Sequence, residues 1–82
     1  MIRPTVENAM VAWEELALLD MDTDREVNDL LEEIAGEKYR TLEDTNDPIY
    51  LTIYALTNSE RRRFLKGCEK IREKYFLGRK VC

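Results

Sequence analysis

The chain has 82 residues, 44% of them hydrophobic and 37% charged, with a formal net charge of −4, which predicts one acidic domain over residues 1–82 with a small core. It contains no histidine and two cysteines, which excludes a disulfide framework, most zinc sites and the common Cys–His and Ser–His nucleophile pairs. Since it shows neither a signal peptide nor an apolar run long enough to span a membrane, we expect a cytoplasmic protein that does not insert into membranes. Cys68 is then expected in the core and Cys82 as a free thiol.

The first helix is predicted to begin near Pro4 and Thr5, since proline suits the first turn of a helix and Thr5 can cap it. Its core face follows the helical repeat, with Trp13 as its largest member. Val11 and Leu18, seven residues apart, form a second apolar edge. A helix that is apolar on more than one side is either central in its bundle or covered by another chain, as in a homodimer.

A polar break at residues 20–24 precedes the second helix. Thr23 and Glu26 match the capping-box pattern, which places the start of the helix near Thr23. Gly36 predicts a break or kink, followed by another helical turn or two to about Glu43. The residues of the apolar core stripe are Val27, Leu30, Leu31 and Ile34, and those of the outer acidic face are Asp29, Glu32 and Glu33.

The segment 49–56 is ambiguous, because its β-branched and aromatic residues suit a strand as well as a helix. We predict a helix, since Asp47 and Pro48 provide an N-cap and a first helical position. No second strand is apparent for pairing, and a lone strand would leave its backbone groups without partners.

The last helix is predicted over residues 57–76, with a capping box at Thr57 and Glu60 and a C-cap at Gly78. Residues 60–82 contain nine basic and three acidic residues, whereas residues 1–59 contain four basic and 14 acidic residues. Arg61 and Arg72 fall within the apolar arc, where each is expected to extend to solvent, to meet a carboxylate of the acidic half or to anchor an acidic partner. The outer basic row consists of Arg63, Lys66, Lys70 and Lys74, with Arg62 beside it.

No catalytic, cofactor or metal site is predicted. The glycine-rich nucleotide-binding motifs are absent, and carboxylates adjacent in sequence point about 100° apart on a helix, so they form no acid–base pair. The spacing of Asp20, Asp22 and Asp24 matches the start of a calcium-binding loop. However, Arg25 and Leu31 stand where that loop needs glycine and glutamate.

Together these features predict an all-α domain, a small compact bundle of three to four helices, that is not an enzyme. We expect a regulatory or inhibitory protein that binds another protein or forms a homodimer, of the kind that serves a bacterium or its phage as an accessory factor. The residues expected to contact the partner are Val11, Leu18, Asp29, Glu32, Glu33, Arg63, Lys66, Lys70 and Lys74.

Two alternative functions stay open. The outer basic row could follow a phosphate backbone, which would make the chain a nucleic-acid-binding module. A pI of about 4.8, and the interruption of the basic surface by Glu69 and Glu73, make this function less favoured. The acidic residues 1–59 could instead mimic nucleic acid and bind a basic protein.

Overall fold

The computed structural model of the chain describes residues 3–39 and 47–81, with side chains described up to residue 75. Within these ranges there is no strand, and the all-α prediction is confirmed. The helices are α1 (Val6–Ala17), α2 (Met21–Ala35), α3 (Pro48–Ala55) and α4 (Asn58–Val81), and a short 3₁₀ turn (Gly36–Lys38) follows α2. No helix in the described part of the chain is long and apolar enough to cross a membrane.

The start of α1 is as predicted, whereas the start of α2 is not. The Thr5 hydroxyl accepts a hydrogen bond of 3.1 Å from the Asn8 amide and caps α1. In α2 the N-cap is Asp20, and the predicted capping box of Thr23 and Glu26 is wrong. Thr23 is fully buried, and its hydroxyl donates to the Leu16 carbonyl oxygen at 2.6 Å. It therefore satisfies an acceptor at the end of α1, where carbonyls lack helical partners.

A glycine ends α2 but does not end α4. Gly36 ends α2 with a φ of 56°, a left-handed value that favours glycine. The 3₁₀ turn takes up the first part of the predicted extension, and the part toward Glu43 lies outside the described residues. The predicted C-cap at Gly78 is wrong, because α4 continues through this glycine to Val81. An isolated glycine lowers helix propensity by only about 1 kcal/mol, which a long packed helix tolerates.

The segment 49–56 is helical up to Ala55, as predicted. The Asp47 side chain accepts from the Tyr50 amide at 3.1 Å and caps α3. The capping box of α4 also forms, since the Thr57 amide donates to Glu60 at 2.8 Å and the Glu60 amide donates to the Thr57 hydroxyl at 3.1 Å. Both starts are set by side chains within three residues of the cap.

The core lies between α1, α2 and α4, each of which packs against the other two, and α3 covers one side of α1. Cys68 is buried in it, as predicted. Trp13 lies at its edge, and the indole N–H donates to Asn28 Oδ1 at 2.9 Å, joining α1 to α2. The buried apolar residues are Ala9, Leu16, Val27, Leu31, Ile34, Ala35, Ile53, Leu56, Phe64 and Cys68.

Candidate functional site

The outer basic row of α4 is exposed, but its members differ in whether they pair with a carboxylate. Arg63, Lys66 and Lys70, together with the neighbouring Arg62, make no ion pair or hydrogen bond through their side chains with the described residues. We call these four residues the basic strip. Lys74 differs, because its ammonium nitrogen lies 3.2 Å from Glu26 Oε1 on α2. Lys74 therefore belongs to the contact between α2 and α4 more than to a free binding surface.

Tyr75 joins Lys74 in this contact. Its hydroxyl donates to the Glu26 carboxylate. This hydrogen bond favours the protonated hydroxyl and raises the pKa of Tyr75 to about 12. The same hydrogen bond, followed by the Lys74 ammonium, lowers the pKa of Glu26. The position of Tyr75 opposite Glu26 follows from the packing of α4 against α2.

The two arginines within the apolar arc of α4 have different partners. Arg72 pairs with Glu15 of α1, as predicted, and both side chains are close to half exposed, so the pair contributes about 0–1 kcal/mol. Arg61 meets no carboxylate among the described residues, which corrects the prediction. It donates to the carbonyl oxygens of Ile53 and Tyr54, each at 3.0 Å. These carbonyls lie at the C-terminal end of α3, where the Ile53 carbonyl also accepts from the Leu56 amide at 3.2 Å.

The predicted acidic face of α2 is exposed. Asp29, Glu32 and Glu33 all lie on the side away from the buried Val27. Arg25, four residues before Asp29, is also exposed and places one positive charge on this face. The acidic face therefore offers charge without a large exposed apolar side chain.

Val11 and Leu18 are 61% and 78% exposed, on the side of α1 opposite the buried Leu16. Their surroundings differ. Val11 lies among carboxylates, with Glu7 four residues before it and Glu14 three residues after it. Leu18 closes α1 and lies beside an open depression of about 330 Å³.

This depression occupies the turn between α1 and α2 and has Met21, which is 81% exposed, as a further wall. Sequence reasoning missed Met21, because it stands inside the polar break at residues 20–24. An apolar residue within that break was the signal that could have found it. We call the lining residues the α1–α2 corner: Ala17, Leu18, Leu19, Asp20, Met21 and Asp24.

The outer face of α3 is a second exposed apolar surface that was not selected from the sequence. Tyr50, Leu51 and Tyr54 are 42%, 40% and 62% exposed. The two tyrosine rings stack with their centroids 6.2 Å apart. The sequence feature that could have predicted this surface is the absence of charge from residues 48–55. A short helix buries only one face, so some of its apolar side chains must remain exposed.

The described residues provide no group of three or more His, Cys, Asp or Glu side chains that could hold a metal ion. Burial raises the pKa of the Cys68 thiol to about 12, which keeps it protonated and unreactive. No known protein family, curated protein or solved structure matches this chain. The candidate site therefore rests on the chain's own geometry.

Proposed function

We propose that this chain is a small non-enzymatic protein that regulates or inhibits another protein by binding to it. The observation that supports this function is the exposure of Leu18 and Met21, 78% and 81%, beside one depression. Single exposed apolar residues are common on monomers, whereas neighbouring ones around a concave surface are typical of contact sites. We also propose that the chain serves as an accessory factor in the cytoplasm of a bacterium or its phage.

The exposed apolar residues of the α1–α2 corner supply part of the free energy of binding. Burial of a leucine or methionine side chain contributes about 1.5–3 kcal/mol. Leu18 and Met21 together therefore correspond to about 100-fold or more in affinity. A partner that lies along the outer face of α1 would also contact Val11, about two turns before Leu18.

Affinity purification from the native cells tests this function. The baits are the wild-type chain, the variant Leu18→Glu/Met21→Glu, and a matched control, Leu51→Glu, on the outer face of α3. We expect a partner that binds the wild type and the control and is lost with the corner variant, while circular dichroism shows that all three are folded. Recovery of the same proteins with the wild type and the corner variant would contradict the proposal.

A homodimer is the alternative use of the same corner. Isologous contact between two copies would bury Val11 and Leu18 of both chains. Light scattering after size exclusion measures this directly. A dimer that becomes a monomer in Leu18→Glu would assign the corner to self-association, and a wild-type monomer at high concentration would exclude it.

Nucleic-acid binding is a second candidate function, supported by the exposed and unpaired basic strip within the described residues. It predicts binding to DNA or RNA that weakens steeply as salt is raised. Replacement of Lys66 and Lys70 by glutamine would then weaken binding and reduce the dependence on salt. Absence of any mobility shift at low salt would exclude this function.

A further inference from the structure

We propose that the α1–α2 corner binds a basic amphipathic segment of a partner protein. A large apolar side chain of the segment enters the depression, and its lysine or arginine side chains face the acidic rim. The inference rests on the proposed function, because it specifies the chemistry of the partner that the same surface would bind.

The apolar part of the corner sets the first requirement. Ala17, Leu18, Leu19 and Met21 supply its walls, around a depression of about 330 Å³. Cavities that bind ligands begin at about 300 Å³, so the depression accepts one or two large side chains. Methionine is flexible and polarizable, which lets Met21 adapt to the side chain that enters.

The charge around the depression sets the second requirement. Asp20 and Asp24 line it, and Asp22 is exposed between them. Residues 13–24 contain five acidic residues and no basic residue. A negative rim attracts a basic segment and repels an acidic one.

A second copy of this chain fits the corner less well than a different protein. Its own basic strip could approach the acidic rim. However, none of the large exposed apolar side chains of the described residues lies on α4. The strip therefore offers positive charge without the apolar anchor, whereas a basic amphipathic helix of a partner supplies both on one face.

Three labelled peptides test the chemistry by fluorescence anisotropy with the purified full chain. The first has leucine and lysine at helical spacing, the second replaces every lysine by glutamate, and the third replaces every leucine by alanine. We expect the leucine–lysine peptide to bind at least about tenfold more tightly than either control, a difference of about 1.4 kcal/mol.

Matched variants test the location. Leu18→Ala is expected to weaken binding of the leucine–lysine peptide by about tenfold, and Leu51→Ala, on the outer face of α3, to leave it unchanged. Asp20→Asn/Asp24→Asn should weaken it and reduce its dependence on salt. Asparagine still caps α2 at position 20, and at position 24 it keeps an oxygen for the Asn28 side chain, which now donates to Asp24 at 2.9 Å. Glu69→Gln/Glu73→Gln removes the same charge at exposed positions of α4 and should change little.

Each contrary outcome overturns a different statement. Tighter binding of the leucine–glutamate peptide would reject basic chemistry and leave the corner as an apolar contact site, so the proposed function would stand. If the corner variants and their matched controls lose peptide affinity equally, the peptide is attracted to the acidic protein in general and not to the corner. A homodimer abolished by Leu18→Ala would make a second copy the occupant. No binding of any peptide, with no corner-dependent partner in the affinity purification, would reject both proposals.

Discussion

Arg61 joins three parts of the chain through one guanidinium group. It donates to the Ile53 and Tyr54 carbonyls of α3, to the Pro4 carbonyl before α1 at 3.3 Å, and to Asn58 Oδ1 at 3.0 Å. A planar group with several donors suits this arrangement better than an ammonium group does. Arg61 is therefore a structural residue, although its charge and position suggested an anchor for a partner.

Replacement of Arg61 by alanine is expected to lower the free energy of unfolding by about 2 kcal/mol, because the partly buried carbonyls of Ile53 and Pro4 lose a charged donor. Arg61→Lys should recover only part of this, since lysine cannot reach the carbonyls of α3 and Pro4 together. Urea denaturation followed by circular dichroism measures both variants. Arg63→Ala, an exposed control in the basic strip, should stay within about 0.5 kcal/mol of the wild type, and an equal loss there would contradict this role.

Glu60 makes stability depend on acid pH. Its carboxylate accepts from the Lys38 ammonium at 2.6 Å and from the Thr57 amide at 2.8 Å. The Lys38 hydrogen bond, followed by the Thr57 amide, lowers the pKa of Glu60 from 4.5 to about 2. Because the folded pKa is depressed, this stabilisation is complete above the unfolded value and is lost as the pH falls toward the folded value.

The difference in unfolding free energy between the wild type and Glu60→Gln is therefore expected to be largest near neutral pH. It should shrink as the pH falls from about 5 to about 2. Glutamine keeps the capping geometry and removes the charge, so the pair isolates the ionised carboxylate. Urea titrations at several pH values provide the measurement, and a difference independent of pH would show that the charge contributes nothing.

At the scale of the elements, α2 and α4 approach closely at Gly67. A Cβ atom added to Gly67 would lie 2.5 Å from Leu30 Cδ2 and 2.9 Å from Leu30 Cδ1. Glycine in a helix lowers stability by about 1 kcal/mol relative to alanine. Its use here is therefore explained by the space it leaves for the Leu30 side chain.

Gly67→Ala is expected to destabilise the fold by about 1 kcal/mol, since overpacking by about 1–3 kcal/mol exceeds the gain in helix propensity. In a Leu30→Ala background, Gly67→Ala should stabilise the fold by about 1 kcal/mol. The contact with the Leu30 side chain is then absent, and the higher helix propensity of alanine remains. The sign reversal in this double-mutant cycle, measured by thermal and urea denaturation, is the critical result. Two changes of the same sign would contradict the close approach.

Local patterns predicted the elements well because their signals lie within a few residues. Thr5, Asp47 and Thr57 cap the helices they precede, and helix was the correct choice for segment 49–56. The failures depend on residues distant in sequence. Thr23 does not cap α2 because its hydroxyl donates to the Leu16 carbonyl at the end of α1, and Arg61 meets carbonyls because α3 ends against α4.

In the candidate site, too, local patterns identified some residues, and others depend on contacts between distant parts of the chain. Helical spacing placed Val11 and Leu18 on a second apolar edge, either central in the bundle or covered by another chain, and Leu18 is 78% exposed. The role of Met21 depends on how the turn brings α1 and α2 together, which no local pattern specifies. The exposure of the α3 tyrosines likewise depends on which side of that helix α1 covers. Whether Val11, the acidic face or the basic strip contacts a partner stays a prediction.

At the scale of the whole molecule, the ion pairs between elements lie at the surface of the bundle and contribute little to its stability. Arg72–Glu15, Lys74–Glu26 and Lys38–Glu60 are all partly exposed, so screening by salt should change stability little. The main stabilisation comes from the buried apolar residues between α1, α2 and α4. Cys68 lies among them and reports on the integrity of the core.

In a Cys82→Ser variant, Cys68 is expected to react with a thiol reagent at pH 8 only when the chain unfolds. The thiol is 4% exposed, and its pKa of about 12 leaves almost no thiolate in the folded protein. The reaction rate should rise with urea in parallel with global unfolding measured by circular dichroism. Fast labelling without urea, at the rate of the unfolded chain, would contradict a packed core around α4.

The location of binding on the molecule is tested most directly by backbone amide chemical shifts of the ¹⁵N-labelled chain during titration with the leucine–lysine peptide. We predict that the largest shift changes fall on residues 17–24, and that they are smaller in Leu18→Ala at the same peptide concentration. Small changes are expected over residues 62–70, which carry the basic strip. Shift changes centred on the basic strip or on α3, or spread evenly over the acidic surface, would contradict the α1–α2 corner as the binding site.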